Sequence, residues 1–125
     1  MFDCLAMEVV DAQVEAWRAR DAAAFASHYA PDAVVVSVSL EATPSVLIGR
    51  EAIQDFYGNA FLEMPAQIEL SISNRITSGD YVIDEETLVG DQVAGEAVVI
   101  YQVRSCQIVR AEILPWVEHG EGVAE

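Results

Sequence analysis

Residues Leu5 to Arg20, LAMEVVDAQVEAWRAR, carry apolar side chains at Val9, Val10, Val14 and Trp17 with charged ones between them. That spacing predicts a helix with one buried stripe. Asp21 opens DAAAFASHYA, a short second helix with an N-cap residue at its start and a stop at Ala30–Pro31. Pro31 and Asp32 read as a turn, and Ala33 to Leu40 (AVVVSVSL) as a valine-rich strand. Glu41 to Pro44 break it. A short apolar piece, Val46 to Ile48, leads through Gly49 into a third helix, REAIQDFYGNAFLE, with Ile53, Phe56, Tyr57 and Phe61 at helical intervals. Past Pro65 the period changes to two. Ala66 to Thr77, Tyr81 to Val89, Ala97 to Arg104 and Gln107 to Trp116 each alternate or run apolar, with turn residues at 78–80, 90–95 and 105–106. Helices first and hairpin-linked strands after them predict an α+β domain, an antiparallel sheet covered by helices on one face.

Composition narrows the chemistry. A chain of 125 residues, 53% hydrophobic and 22% charged, is one globular domain, with residues from Glu118 onward an acidic tail expected to fray. No apolar run reaches the roughly 20 residues of a membrane span. The N-terminal MFDCLAMEVVDAQ is acidic rather than basic, unlike a secretory or transit signal, so a cytoplasmic address is expected. Six basic residues, all arginine, face 21 acidic ones for a net charge of −15. With no lysine in the chain, Schiff-base chemistry and a lysine base are excluded. Six scattered arginines make a poor phosphate-binding face, which argues against nucleic acid and anionic membranes as partners. Two histidines, His28 and His119, do not make a histidine metal centre, and no carboxylate spacing argues for magnesium. Cys4 and Cys106 form no C-x-x-C pair and are read as reduced, small apolar residues.

The order of these elements, with ARDAAAFASHYAPDAVVV, IGREAIQDFY and AVVIYQVRSCQIVRAEIL, resembles the nuclear transport factor 2-like superfamily over roughly residues 6 to 116. Within it the chain is most similar to the branch of ketosteroid isomerases and SnoaL-like polyketide cyclases. The resemblance implies a cone-shaped α+β barrel, three N-terminal helices packed on a strongly bent, mainly antiparallel sheet. It also implies an apolar pocket open at one end, no cofactor, and a homodimer through the outer sheet face. That face would carry Val98, Ile100, Gln102 and Arg104 on one strand and Arg110, Glu112 and Leu114 on the next.

Ketosteroid isomerases use an aspartate base on the first strand, with a tyrosine and a protonated aspartic acid holding the enolate. By the resemblance, the tyrosine position falls at Gln13, the base at Ser37 and the neutral acid at Val99. Gln13 retains a hydrogen-bond donor, whereas Ser37 is no unassisted base and Val99 offers no proton. The ketosteroid mechanism in that form is absent. The richest acidic run is YVIDEETLV, Tyr81 to Val89. Its more apolar alternate set, Tyr81, Ile83, Glu85, Thr87 and Val89, is expected to face the helices, aiming Glu85 and Thr87 into the pocket. Glu85 is then the candidate general acid or base, since burial raises a carboxyl pKa. A one-residue slip would put Asp84 inside instead, and a solvated edge would hold all three acids.

Trp17, Tyr29, Phe56, Tyr57, Phe61, Tyr101 and Trp116 supply an aromatic lining if the cone is right, and Tyr57 and Tyr101 have hydroxyls that could orient a substrate. Arg50 is expected to pair with Glu51 or Asp55, His28 to lie at the surface, and Asp32 to form a turn. An epoxide hydrolase variant of the fold would want an Asp–Arg–Asp arrangement inside the cone, but Arg104 and Arg110 fall on outward phases. Three readings remain. The first is an isomerase, cyclase or dehydratase acting on an apolar carbonyl compound. The others are a non-catalytic protein that binds an apolar small molecule, and a dimeric association module.

Overall fold

A computed structural model describes residues 4–38, 43–90, 93–114 and 117–118. Three helices come first where the apolar spacing places them: α1 (Ala6–Arg18), α2 (Ala22–Ser27) and α3 (Arg50–Glu63). Helix α1 buries Val9, Val10, Gln13, Val14 and Ala16 on one face. Asp21 caps α2 as its residue type predicts, its carboxylate accepting from the Ala24 amide at 3.0 Å. Gly49 enters α3 at φ 96°, a backbone conformation that a side chain would strain.

The strands are β1 (Tyr29–Ser37), β2 (Ser45–Ile48), β3 (Ile68–Ser78), β4 (Tyr81–Gly90), β5 (Val93–Arg104), β6 (Gln107–Ile113) and β7 (Val117–Glu118). They form a mixed sheet in the order β2-β1-β6-β5-β4-β3, with β7 pairing β5 off this path. Only the β1–β6 pairing is parallel among the described residues. The two end strands, β2 and β3, do not meet there, so the sheet stays open. Helix α1 packs against β3 to β6 while α2 and α3 cover β1 and α3 reaches β2, so the helix layer spans both halves of the sheet.

Several boundaries differ from the sequence reading. Strand β1 starts at Tyr29, four residues early, and absorbs the Pro31–Asp32 turn as an irregularity between Tyr29 and Val34 in its pairing with β6. Strand β5 starts at Val93 inside the expected turn, where Val93 pairs Gly90. Glu118, expected in the frayed tail, pairs Gly95, while the rest of that tail lies outside the described residues. In β3 the register against β4 shifts between Ile72 and Asn74. Ser73 is the extra residue of this bulge, and its hydroxyl donates to the Glu85 carbonyl at 3.1 Å.

Cys4 and Cys106 are bonded to each other, with Cα atoms 5.4 Å apart, and are not the reduced pair expected. The two-residue turn between β5 and β6 holds Ser105 at φ 52° and Cys106 at φ 64°, the positive values that such a tight hairpin needs at both central residues. This turn brings Cys106 to the start of α1. Chain distance hid the pairing, since 102 positions separate the two residues.

The core lies between helices and sheet, around Val10, Val14, Phe25, Tyr29, Ile53, Val82 and Ile108. Burying each of the large apolar side chains among them stabilises the fold by about 1.5–3 kcal/mol. An aromatic group gives this core its stiffness: Phe25 packs on Tyr57 at 4.5 Å and on Tyr29 at 5.3 Å between ring centroids.

Candidate active site

A cavity of about 160 Å³ opens between the helix layer and the inner face of the sheet. Helix α1 brings Gln13, Val14 and Trp17 to it, α2 brings Phe25, α3 brings Tyr57, and β1 brings Tyr29. The sheet side supplies Leu70, Glu86, Leu88, Ala97, Val99, Tyr101 and Ile113. Of the residues named from sequence, Gln13, Trp17, Tyr29, Tyr57, Val99 and Tyr101 line this cavity.

The others stand elsewhere. Glu85 and Thr87 lie on the outer face of β4, and Glu85 is exposed, so the expectation that both enter the cavity is corrected. The reason is register. Antiparallel partners share a face, and Asp84 sits opposite Val99, Val82 opposite Tyr101 and Glu86 opposite Ala97, all on the helix side. Comparing the apolarity of the two alternate sets favoured the wrong phase, because the inner set holds two acids that the fold accommodates individually. Phe56 is 52% exposed and leaves the wall, packing T-shaped with Tyr57 at 5.2 Å. Phe61 is a core residue, packed edge-on to Trp17 and Phe25. Ser37 ends β1 opposite Ser45 and Ile113, outside the cavity wall. Trp116 lies outside the described residues. Arg50 donates to the Tyr29 carbonyl at 2.9 Å instead of pairing with Glu51 or Asp55. His28 is half-buried rather than at the surface, and burial lowers its pKa.

Four polar side chains of the cavity form two hydrogen-bonded pairs. The Tyr29 hydroxyl donates to Gln13 Oε1 at 2.6 Å. Gln13 Nε2 donates to the Val10 carbonyl at 3.3 Å. The Tyr101 hydroxyl donates to Glu86 Oε2 at 3.2 Å.

Glu86 is the residue that sequence reasoning missed. Burial raises its carboxyl to about 7, the bond from Tyr101 opposes that rise, Asp84 adds to it, and Arg75 and Arg18 oppose it. The signal that would have found it was the β4–β5 register, in which Glu86 pairs Ala97. Tyr29 and Tyr101 are raised well above the ordinary phenol range, first by burial. Both remain protonated donors across neutral pH.

Beside Glu86 the second inner acid, Asp84, is fully buried at 0% exposure and held by Arg75 through both carboxylate oxygens, at 2.6 and 2.9 Å. Arg75 also reaches Asp11 of α1 at 2.8 Å. The bulge at Ser73 turns Arg75 inward. An Asp–Arg–Asp arrangement thus exists with an arginine the sequence reading had not placed. None of its three members lines the cavity.

Among solved structures, a proposed ketosteroid isomerase from Kribbella flavida shares 19% identity over 93% of this chain and 80% of its own, with a TM-score of 0.73. A proposed polyketide cyclase from Sinorhizobium meliloti shares 21% over 88% and 99%, with a TM-score of 0.69. A protein of ketosteroid isomerase-like fold from Catenulispora acidiphila, in complex with trimethylamine, shares 23% over 85% and 83%, with a TM-score of 0.67. At these identities the likeness is one of fold. No curated protein matches the chain. Residues 10–111 match the model of the SnoaL-like domain, and the chain belongs to that family.

Proposed function

We propose that this protein is an enzyme that moves a proton on a small apolar carbonyl compound held in the cavity, with Glu86 as the proton carrier. One observation carries the reading: a lone carboxyl on a wall otherwise apolar, phenolic and, at Gln13, amide, raised to about 7 by burial. At that value both of its forms are populated near neutrality, as a general base and then a general acid require. The carboxylate takes the proton from the carbon next to the carbonyl. The C–H electron pair moves into the C–C bond, and the carbonyl oxygen becomes an enolate. With an unsaturated ketone, returning the proton to a different carbon of the dienolate completes an isomerisation, whereas attack by the enolate carbon on a second carbonyl, followed by passage of the Glu86 proton to the alkoxide so formed, completes a cyclisation. Glu86 takes the role that the sequence reading gave to Glu85.

The test follows a panel of apolar ketones and enones in D2O by proton NMR. Deuterium should enter at the carbon beside the carbonyl of at least one member, at a rate that rises with pH through about 7. Glu86→Gln should slow it by roughly 10²–10⁴-fold. Binding of panel members without exchange above buffer would favour the second reading, a non-catalytic carrier of an apolar small molecule. That reading draws its support from Ser37 and Val99, which stand where related isomerases have acids. A homodimer through the outer sheet face belongs to the same proposal. Half-buried Ile83, Val98 and Ile100 run across that face beside the Arg110–Glu112 pair at 3.8 Å, a mixture typical of such interfaces.

A further inference from the structure

Six side chains bring polar groups to the cavity: Tyr29 and Gln13 form one hydrogen-bonded pair, Tyr101 and Glu86 another, and Trp17 and Tyr57 stand outside both. The hydroxyl outside the pairs is that of Tyr57. Among the described residues its hydroxyl has no hydrogen-bond partner, yet the oxygen is not sealed off, since no side-chain oxygen there is both fully buried and unpaired. A tyrosine hydroxyl in an apolar interior ordinarily finds a partner. Here the ring is clamped by Phe25 at 4.5 Å, Phe56 at 5.2 Å and Phe61 at 5.9 Å, so the hydroxyl is held in place. Tyr57 comes from α3 in the helix layer and Glu86 from β4 in the sheet, so a ligand in the cavity lies between them.

We propose that Tyr57 holds the ligand's carbonyl oxygen, and that the ligand is a monocyclic or short branched ketone rather than a fused polycycle. The size limit comes from the cavity, about 160 Å³, close to the roughly 150 Å³ that accepts a single benzene ring in an apolar protein interior. The remaining walls, Val14, Leu70, Leu88, Val99 and Ile113 among them, call for an apolar body. A carbonyl oxygen on Tyr57 leaves the adjacent carbon free to face Glu86. Burial, and then the charge of Glu86, push Tyr57 up to about 12, so it is a hydrogen-bond donor over the whole working range. The assignment rests on the proposal that this cavity is the functional site, but not on turnover.

The test uses cyclohexanone labelled with carbon-13 at the carbonyl, and a tetracyclic steroid ketone as competitor. Infrared spectra should show the bound carbonyl band at lower wavenumber than in alkane solvent. Tyr57→Phe should return the band to its alkane position and weaken binding roughly threefold to tenfold, while the melting temperature shows the variant folded. The steroid should not compete. Glu86→Gln should keep the displaced band, whether or not Glu86 moves protons, which separates this assignment from the proton-transfer reading. The assignment is overturned by an undisplaced band in the native protein, a displaced band that survives Tyr57→Phe, steroid competition, or failure of cyclohexanone to bind. The first and last of these need no variant.

Discussion

Glu86 and Asp84 stand two residues apart on one face of β4, and the fold manages their charges by different means. Asp84 keeps a bidentate partner, whereas Glu86 is raised to about 7 and bonded by a phenol. The difference has a thermodynamic sign. An ordinary glutamate releases its proton near 4.5, so between that pH and about 7 the folded chain holds a proton that the unfolded chain has lost. The stability this contributes is full below about pH 4.5 and declines as pH rises through about 7, after which it is gone. Urea unfolding of the native protein and of Glu86→Gln across that window should show the native protein losing ground to the variant as pH rises. A constant difference would mean that the carboxyl titrates as if in water. Proton exchange should run the other way and quicken over the same interval.

The elements around these residues divide cleanly into what alternation reveals and what it hides. The sequence pattern placed α3 at its observed ends and found α1, α2 and all the main strands, because amphipathic spacing is a local property. Strand phase in β4 is not local. It is set by pairing with β5, and the outer set there, with Tyr81, Ile83 and Val89, is as apolar as any buried one. Gln13 and Val99 were legible through the family resemblance, and Tyr57 and Tyr101 as aromatic side chains with hydroxyls, whereas Glu86 was masked by counting hydrophobicity alone. Arg75 was invisible for a further reason: Ser73 shifts the alternation of β3, and only paired strands reveal a bulge. The resulting ion pair ties β3 to β4 and, through Asp11, to α1. Arg75→Met would strand a fully buried carboxylate and should cost about 3–5 kcal/mol in urea unfolding. Asp11 is half in water, so Asp11→Asn should cost less than about 1 kcal/mol. Equal, small effects would show that the Asp84 pocket admits water.

At the scale of the molecule, the six arginines are spent as fasteners in a chain of charge −15. Arg18 donates to the Leu70 carbonyl at 2.8 Å, Arg20 to the carbonyls of Met64, Pro65 and Ala66, and Arg50 to that of Tyr29. Arg75 holds its two acids, and Arg104 and Arg110 meet Asp80 and Glu112 at 3.9 and 3.8 Å. The Cys4–Cys106 bond adds a covalent fastener of much longer reach. Closing a loop of this length restricts the unfolded chain, and reducing it should lower stability by roughly 2–5 kcal/mol, read from unfolding with and without reductant. An unchanged midpoint would mean that the thiols are not joined. The bond also decides how the protein answers a mechanical load. Pulled between handles ahead of Cys4 and beyond Leu114, the oxidised chain carries tension through the two sulfurs into β6 and bypasses every element from α1 to β5. Of the elements up to Leu114, β6 alone would bear the load, and it lies between β1 and β5, where both of its edges must tear. Reduced, the same handles would unravel the whole domain, so one bond separates a short tether from a long one.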